Sequence, residues 1–274
     1  MPYRTLIAHL DVGKSNQELL RVAMDLGARC DARLVGIAAC QPIQFTYGDD
    51  YIDGRTMAAC QDELRAELRT AEAEFREALK DNPLPVEWRS SYTIDALPDY
   101  LASEARCADL IVTSLAAADP FDSSRHTSIG DLVVRAGRPL LAVPHSGARI
   151  PFDRILVAWK DTREARRAVA EALPLLALAK HVTVLEIAEQ DDVPTALSRV
   201  QDVTQWLALH RVKAVPLAVA SNGADAVQLG SILNEQETDL VVAGAYGHNR
   251  LREWAFGGVT HALLQGGRCA LLSH

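Results

Sequence analysis

Two glycine clusters near the end of the chain have the spacing best suited to ligand chemistry. Gly244-Ala-Tyr-Gly247 is followed by nine residues and then by Gly257-Gly-Val-Thr260. The first cluster comes directly after the apolar run Asp239–Ala243, which is typical of a buried strand. Glycine lets the main chain approach a ligand closely, and the N–H groups at a helix start attract phosphate. The pattern therefore predicts a nucleotide pocket, with the second cluster opening a helix.

The same stretch has a counterpart 130 residues earlier. Asp109–Ser114 matches Asp239–Gly244 (239 − 109), and Gly137–Leu141 matches Gly267–Leu271 (267 − 137), with no gap between the two matches. A repeat of this length is too long for a solenoid unit and indicates a duplicated domain of ordinary size. The 274 residues are enough for two such domains, each with its own core.

The two copies differ in length. The chain start Arg4–Asp11 resembles Arg154–Asp161 at an offset of 150 (154 − 4), which gives the first copy 20 extra residues (150 − 130). We expect this excess at 41–56, where Pro, Gly, Asp and Tyr predict an irregular excursion. Pro144–Pro151 has the Pro, Ser and Gly content of a linker. The predicted domains are therefore 1–147 and 148–274.

Short aliphatic segments alternate with helical patterns in both copies. The predicted strands of the first copy are Thr5–His9, Leu34–Ala39, Val86–Ser90, Leu110–Ser114 and Leu140–Val143. Those of the second copy are Arg154–Ala158, Val182–Ile187, Val215–Val219, Asp239–Ala243 and Cys269–Leu272. Almost wholly aliphatic strands that alternate with helices indicate a parallel sheet covered on both faces. Each copy is therefore predicted to be a five-stranded, doubly wound α/β domain, with Thr162 available as a helix N-cap.

Composition narrows the class of function. The net charge of −8, from 28 Lys and Arg against 36 Asp and Glu, argues against sequence-independent binding to nucleic acid. No run approaches the roughly 18 apolar residues of a membrane span. The five cysteines are odd in number and lack CxxC spacing, and the N-terminus carries no apolar signal segment. We therefore expect a cytoplasmic protein without a membrane span.

These features together resemble the universal stress protein family in a tandem form, with two such domains per chain. Nucleotide-binding members carry G-x2-G-x9-G-[ST], usually continuing with Val and then Ser or Thr, and both clusters fit that pattern. The resemblance implies Rossmann-like domains, similar to the adenine nucleotide alpha hydrolases, that bind ATP or another adenine nucleotide, with Mg²⁺ as a companion ion. The implied nucleotide contacts are Ala158, Lys160, Ile187, Gly244, Gly247, His248, Gly257, Gly258, Val259 and Thr260.

Two positions of the second copy depart from the family pattern. Gly258 stands where a hydroxyl residue is expected, which removes a side-chain donor but leaves an unobstructed backbone N–H. Lys160 replaces the acidic residue that accepts hydrogen bonds from the nucleoside, and an ammonium group has no acceptor. Losing one such hydrogen bond costs on the order of 1–3 kcal/mol, so we expect weaker nucleotide binding or a different ligand.

The first copy has lost more of the pattern. Ser114 and Ala117 replace the paired glycines, and Thr127 replaces the counterpart of Gly257. Leu10 is aligned with the nucleoside-binding acid. Ser128 keeps the hydroxyl position. We expect the first copy to bind no nucleotide, and instead to stabilise the second copy or to hold an apolar ligand beneath the 41–56 insertion.

Other candidate sites have weaker support. Ala8–Ser15 nearly matches the phosphate loop G-x4-G-K-[ST], but its first glycine is replaced by alanine and the homologous segment 158–166 lacks the pattern, so an N-capped helix start is preferred. His248 and His261 adjoin the glycine clusters and could contact a phosphate. No histidine pair has metal-ligand spacing, and no GxSxG or evident Cys–His pair predicts catalysis. We therefore expect neither a metal centre nor an enzyme.

The preferred hypothesis is a universal stress protein that binds an adenine nucleotide through its second copy and responds by changing shape or partners. Tandem copies of one fold also suggest intramolecular pairing about a pseudo-twofold axis, with homodimerisation left open. One alternative is a non-nucleotide scaffold that binds a hydrophobic metabolite, a lipid fragment or a partner protein. The other alternative is a weak nucleotide hydrolase.

Overall fold

The computed structural model describes residues 2–42, 54–115, 124–144, 151–245 and 268–274. The chain divides into two compact units, Tyr3–Arg138 and Pro139–His274. The predicted division at 147/148 lies in 145–150, outside the described residues, and stays a prediction. The two compact units divide at 138/139, before the predicted domain boundary, because the strand Leu140–Val143 pairs within the second unit.

The first unit is built on a parallel sheet. Its strands are β1 (Thr5–His9), β2 (Arg33–Cys40), β3 (Val86–Tyr92) and β4 (Leu110–Ser114), in the order β3-β2-β1-β4. Its described helices are α1 (Gln17–Cys30), α2 (Gly54–Leu79), α3 (Leu97–Glu104) and α4 (Ile129–Ala136), with a 3₁₀ turn at Ala105–Cys107. Strand β1 pairs in parallel with both β2 and β4, which makes it a central strand.

Within the described residues, the second unit repeats this order and adds two strands, one of them antiparallel, so the units hold four and six strands where five parallel strands were predicted for each copy. Its strands are β5 (Leu140–Val143), β6 (Arg154–Ala158), β7 (His181–Ala188), β8 (Ala214–Ala220), β9 (Leu240–Gly244) and β10 (Cys269–Ser273). Their order is β5-β10-β9-β6-β7-β8, with β5 antiparallel to β10 and the other pairs parallel. The described helices are α5 (Arg163–Leu176), α6 (Val193–Leu209) and α7 (Asp225–Glu235), with a 3₁₀ turn at Gln190–Asp192.

Burial explains why the aliphatic segments become strands. Every residue of β4 and β10 is buried, as expected for parallel strands that are covered on both faces. The predicted N-cap is confirmed, because Thr162 Oγ1 accepts a hydrogen bond from the N–H of Ala165 at 3.3 Å. The predicted α/β order is likewise confirmed, while the helix expected from Gly258 lies outside the described residues.

Strand pairing fixes how the two copies correspond. In the first unit His9 of β1 lies opposite Thr113 of β4, and in the second unit Ala158 of β6 lies opposite Ala243 of β9. Thr113 and Ala243 are 130 residues apart (243 − 113), so His9 corresponds to Ala158 at an offset of 149 (158 − 9). The alignment of the chain starts at 150 is therefore wrong by one residue, and the first copy holds 19 extra residues (149 − 130).

Hydrogen bonds from backbone N–H groups to two aspartate side chains give the same offset. The Asp109 carboxylate accepts a hydrogen bond from the N–H of Thr5 at 2.9 Å, and the Asp239 carboxylate accepts one from the N–H of Arg154 at 3.2 Å. Thr5 and Arg154 are 149 residues apart (154 − 5). Because adjacent residues of a strand point to opposite faces, a shift of one residue changes which side chains occupy equivalent places.

Candidate functional site

The carboxyl ends of the parallel strands bring the described part of the predicted site to one edge of the second unit. Ala158 ends β6 and lies opposite Ala243, which immediately precedes the last residue of β9, Gly244. Lys160 follows Ala158 by two residues and is exposed, while Ile187 lies near the end of the adjacent β7. Ligands of doubly wound folds bind at this edge, so the four described contacts are in a suitable place.

The other predicted contacts lie outside the described residues. They are Gly247, His248, Gly257, Gly258, Val259 and Thr260. Their part in ligand binding stays a prediction, as does that of His261.

Gly244 has a structural reason to be glycine. A β-carbon at this position would lie 2.5 Å from the backbone N of Ala165 and 2.7 Å from the carbonyl carbon of Glu164. Both atoms belong to the first turn of α5, and backbone atoms cannot rotate away as the end of a side chain can. The close packing of β9 against α5 therefore requires glycine here, whether or not a ligand also contacts it.

Within the described residues, Lys160 presents an exposed positive charge at this edge. No carboxylate of the described residues forms an ion pair with its ammonium group. The neighbouring acid, Asp161, is already paired, because its Oδ1 lies 2.5 Å from Nη2 of Arg166. Asp161 is thus engaged elsewhere, and the family's nucleoside-binding carboxylate has no replacement at this turn.

A buried polar cluster occupies the corresponding edge of the first unit. At the offset of 149, Lys160 corresponds to Asp11 (160 − 11), so the sequence-based alignment of Leu10 with the nucleoside-binding acid is wrong. Asp11 is buried, and its Oδ2 accepts a hydrogen bond from Oγ of Ser114 at the end of β4. His126 Nδ1 lies 3.8 Å from Asp11 Oδ1 and has no hydrogen-bond partner.

Further polar contacts hold this cluster in place. His9 Nδ1 lies 2.9 Å from Thr113 Oγ1. The N–H of Asp11 donates to Oδ1 of Asn16 at 2.8 Å, and Asn16 Nδ2 donates to the carbonyl oxygen of Asp11 at 3.1 Å. The equivalents of His9 and Thr113 in the second unit are both alanine, so the first unit has its own polar edge rather than an eroded copy of the other.

Burial and neighbouring groups set the protonation states in this cluster. Burial lowers the pKa of His9 below its usual value, and the opposing charge of Asp11 does not compensate. Burial raises the pKa of Asp11, but its interactions with His126, His9 and Ser114 outweigh that effect, so its pKa lies below the usual value. At neutral pH His9 is therefore neutral and Asp11 is ionised.

His9 should make the folded state sensitive to mild acid. The pKa of His9 is lower in the folded state than in the unfolded state. As the pH falls below about 6.5, the unfolded chain therefore binds a proton more readily than the folded chain, and the folded state loses stability. The resulting loss of stability has a limit of about 1.4 kcal/mol per pH unit for one group. We expect His9→Asn, which keeps a polar side chain beside Thr113, to flatten the pH dependence of the unfolding free energy between pH 5 and 7.

Chemical denaturation at a series of pH values measures this effect. The window lies above the range in which Asp11 takes up a proton, so the two groups are separated. His181→Asn, at an exposed position of the second unit, is the matched control and should keep the wild-type slope. Equal slopes for His9→Asn and the wild-type protein would contradict the prediction.

The turn that nearly matches a phosphate loop holds one of the protein's own carboxylates. Glu74 Oε1 of α2 accepts a hydrogen bond from the N–H of Asn16 at 2.9 Å, and its Oε2 accepts one from Asn16 Nδ2 at 3.1 Å. Gly13 has φ of +78°, which explains the glycine by backbone conformation. The start of α1 is therefore capped by α2, and not by a side chain of its own turn as the sequence suggested.

Two further findings concern the remaining sequence-based expectations. Across the described ranges, no group of three His, Cys, Asp or Glu side chains is arranged to hold a metal ion. None of the helices in those same ranges combines the length and the apolar character needed to cross a bilayer. Of the predicted insertion 41–56, residues 54–56 belong to α2 and 43–53 lie outside the described residues.

The matches that the comparisons with known proteins find are to solved structures. No family model and no curated protein matches the sequence. A universal stress protein from Archaeoglobus fulgidus DSM 4304 is similar over 98% of this chain and 95% of its own, with a TM-score of 0.76 and 11% identity. A functionally unknown protein from Pseudomonas aeruginosa PAO1 is similar over 99% of this chain and 92% of its own, with a TM-score of 0.60 and 15% identity.

The parallel strands, alternating helices and polar carboxyl edges define a Rossmann-like α/β protein with two compact units. More particularly, the chain has the fold of a universal stress protein along almost its whole length. The predicted resemblance is confirmed at the level of the fold.

Proposed function

We propose that this chain acts as a universal stress protein and that its second unit binds an adenine nucleotide, ATP or AMP, without catalysing a reaction on it. The observation that carries the proposal is the exposed Lys160, which has no carboxylate partner in the described residues, at the edge where Gly244 ends β9. A cation without an ion-pair partner among the described residues, at the edge where Gly244 ends β9, suits a phosphorylated ligand.

Each part of the proposed site has a separate task. Lys160 would attract the phosphates, and the N–H groups of 257–260 would donate hydrogen bonds to them at a helix start. Mg²⁺ would accompany a bound triphosphate. None of these groups is a nucleophile or a general base, so the ligand would be held and released, and binding would act through a change in shape or partners.

Calorimetric titration of the intact chain with ATP tests this proposal. We expect saturable binding, and a loss of about 3- to 10-fold in affinity for Lys160→Gln, because a charge-assisted contact with phosphate is lost. Lys180→Gln is the matched control, since Lys180 precedes β7 at the opposite, amino end of the strands and already pairs with Asp153 at 2.6 Å. Gly247→Val tests the glycine cluster in the same assay.

The possible outcomes separate the hypotheses. No heat with any variant, or one affinity for all of them, would remove nucleotide binding at this edge. Steady release of phosphate that depends on His248 would favour the weak hydrolase. An apolar mass that accompanies the freshly purified protein in native mass spectrometry would favour the scaffold, although the described edge of the first unit is polar.

A further inference from the structure

Two buried polar atoms in the second unit lack hydrogen-bond partners. They are Nε1 of Trp159, whose residue is 7% exposed, and Oε2 of Glu164, whose residue is 2% exposed. Buried polar groups are nearly always hydrogen-bonded, because an unmet donor or acceptor keeps its full desolvation cost. A donor and an acceptor that both lack partners in one region of a fold therefore call for an explanation.

Both residues belong to the carboxyl edge described above. Trp159 directly follows Ala158, the last residue of β6, and its backbone N–H is held by the carbonyl oxygen of Leu185 at 2.7 Å. Glu164 is in the first turn of α5, and its Cβ would be 2.9 Å from a β-carbon on Gly244. Trp159 thus follows the end of β6, Glu164 packs beside the end of β9, and Lys160 lies between them in the chain.

Glu164 is a charged acceptor at neutral pH. Burial raises its pKa, but the hydrogen bond from Arg163 to its Oε1 and other local contacts outweigh burial, so the pKa is below the usual value. Arg163 donates to Oε1, and Oε2 is buried without a hydrogen-bond partner. A buried, ionised oxygen without a donor is a strong site for a ligand N–H or O–H group.

We propose that Glu164 and Trp159 recognise the nucleoside half of the nucleotide, with Glu164 Oε2 accepting a hydrogen bond from it and Trp159 Nε1 donating one to it. This inference rests on the proposed function of the same edge. It assigns to Glu164 the acceptor role that Lys160 cannot perform. The ligand is thereby divided, with its nucleoside on Glu164 and Trp159 and its phosphates near Lys160.

The division predicts that substitutions at Glu164 and at Lys160 act differently on the binding of two probes, ATP and inorganic triphosphate. Glu164→Gln should weaken ATP binding by about 10- to 100-fold and leave triphosphate binding unchanged or tighter, because it removes a negative charge. Trp159→Phe keeps the aromatic packing but removes the N–H donor, and should weaken ATP binding by about 3- to 10-fold. Lys160→Gln should weaken the binding of both probes.

Glu171→Gln is the matched control for the loss of charge. Glu171 lies on the same helix, two turns further along, and its Oε2 accepts a hydrogen bond from Ser273 Oγ at 2.5 Å. We expect it to change the affinity for ATP by less than twofold. Without ligand, Trp159→Phe should melt at or above the wild-type Tm, because it removes an unsatisfied buried donor.

The outcomes distinguish this inference from the proposal of nucleotide binding on which it rests. ATP affinities that are equal in wild-type, Glu164→Gln and Trp159→Phe proteins would overturn the nucleoside assignment and leave nucleotide binding intact. A parallel loss of ATP and triphosphate binding in Glu164→Gln would also overturn the assignment. Absence of ATP binding to the wild-type protein would overturn both. Circular dichroism and Tm confirm that each variant is folded, and the two variants test the assignment independently.

Discussion

Replacing Gly244 by alanine is expected to destabilise the second unit by about 1–3 kcal/mol, toward the upper end of that range. The added β-carbon would lie 2.5 Å from the N of Ala165, and this contact is with helix backbone. Relief requires β9 and α5 to move apart, which disturbs the core between them. Chemical denaturation of the intact chain measures the change in the free energy of unfolding.

Gly230→Ala is the matched control for this substitution. Gly230 lies inside α7, and a β-carbon there would meet no atom within 4 Å. Alanine favours helix over glycine, so we expect this variant to be more stable by up to about 1 kcal/mol. The steric interpretation of Gly244 fails if both variants shift the unfolding free energy in the same direction.

Helix position explains why only one copy needs this glycine. Four residues separate β6 from α5, whereas seven separate β1 from α1 (159–162 and 10–16). Helix α5 therefore begins three residues sooner after its strand, and its first turn packs directly on the end of β9. The longer turn in the first unit leaves room for Ser114, whose hydroxyl donates to Asp11.

The second large effect is expected at Asp11, where Asp11→Ala should cost about 2–4 kcal/mol of folding free energy. The substitution removes the acceptor for Ser114 and the carboxylate that faces His126, while both of these side chains stay buried. A donor left without a partner keeps its desolvation cost, so the loss exceeds the value of the hydrogen bond alone.

Lys160→Ala tests the same position in the other unit. Its side chain is exposed and has no ion-pair partner in the described residues, so we expect a change within about 0.5 kcal/mol. A double-mutant cycle of Asp11→Ala with Ser114→Ala should give a coupling of about 1.5–3 kcal/mol, the range for a hydrogen bond to a charged group. Equal costs for Asp11→Ala and Lys160→Ala would show that the polar cluster contributes nothing to stability.

The order of strands and helices could be read from the sequence because local patterns carry that information. Aliphatic runs such as Leu110–Ser114 are compatible only with a buried environment, and Thr162 has the hydroxyl that a helix start requires. The duplication could equally be predicted from the sequence, because similar residues recur at a fixed offset. The glycine pattern that predicts a nucleotide site is likewise a local feature of the sequence.

The residue-by-residue alignment of the two copies could not be predicted from such local patterns. A one-residue shift in an aliphatic strand leaves its composition almost unchanged, so Leu10 aligned as well as Asp11 with Lys160. Only hydrogen-bonded pairing, such as that of His9 with Thr113, fixes the register. The buried cluster around Asp11 was missed for that reason, although acids and hydroxyls at the ends of adjacent parallel strands were its signal.

The amino-acid sequence by itself thus determined which segments are strands and helices, that the chain is a duplicated α/β protein, and which family it resembles. The tertiary structure decided which polar groups are buried together. In the sequence, Glu164 is one of the acidic residues that are common in a first helical turn. In the structure, the packing of α5 against β9 buries it and leaves its Oε2 without a hydrogen-bond donor. Burial and partnership depend on contacts between segments far apart in the chain, which no local pattern specifies.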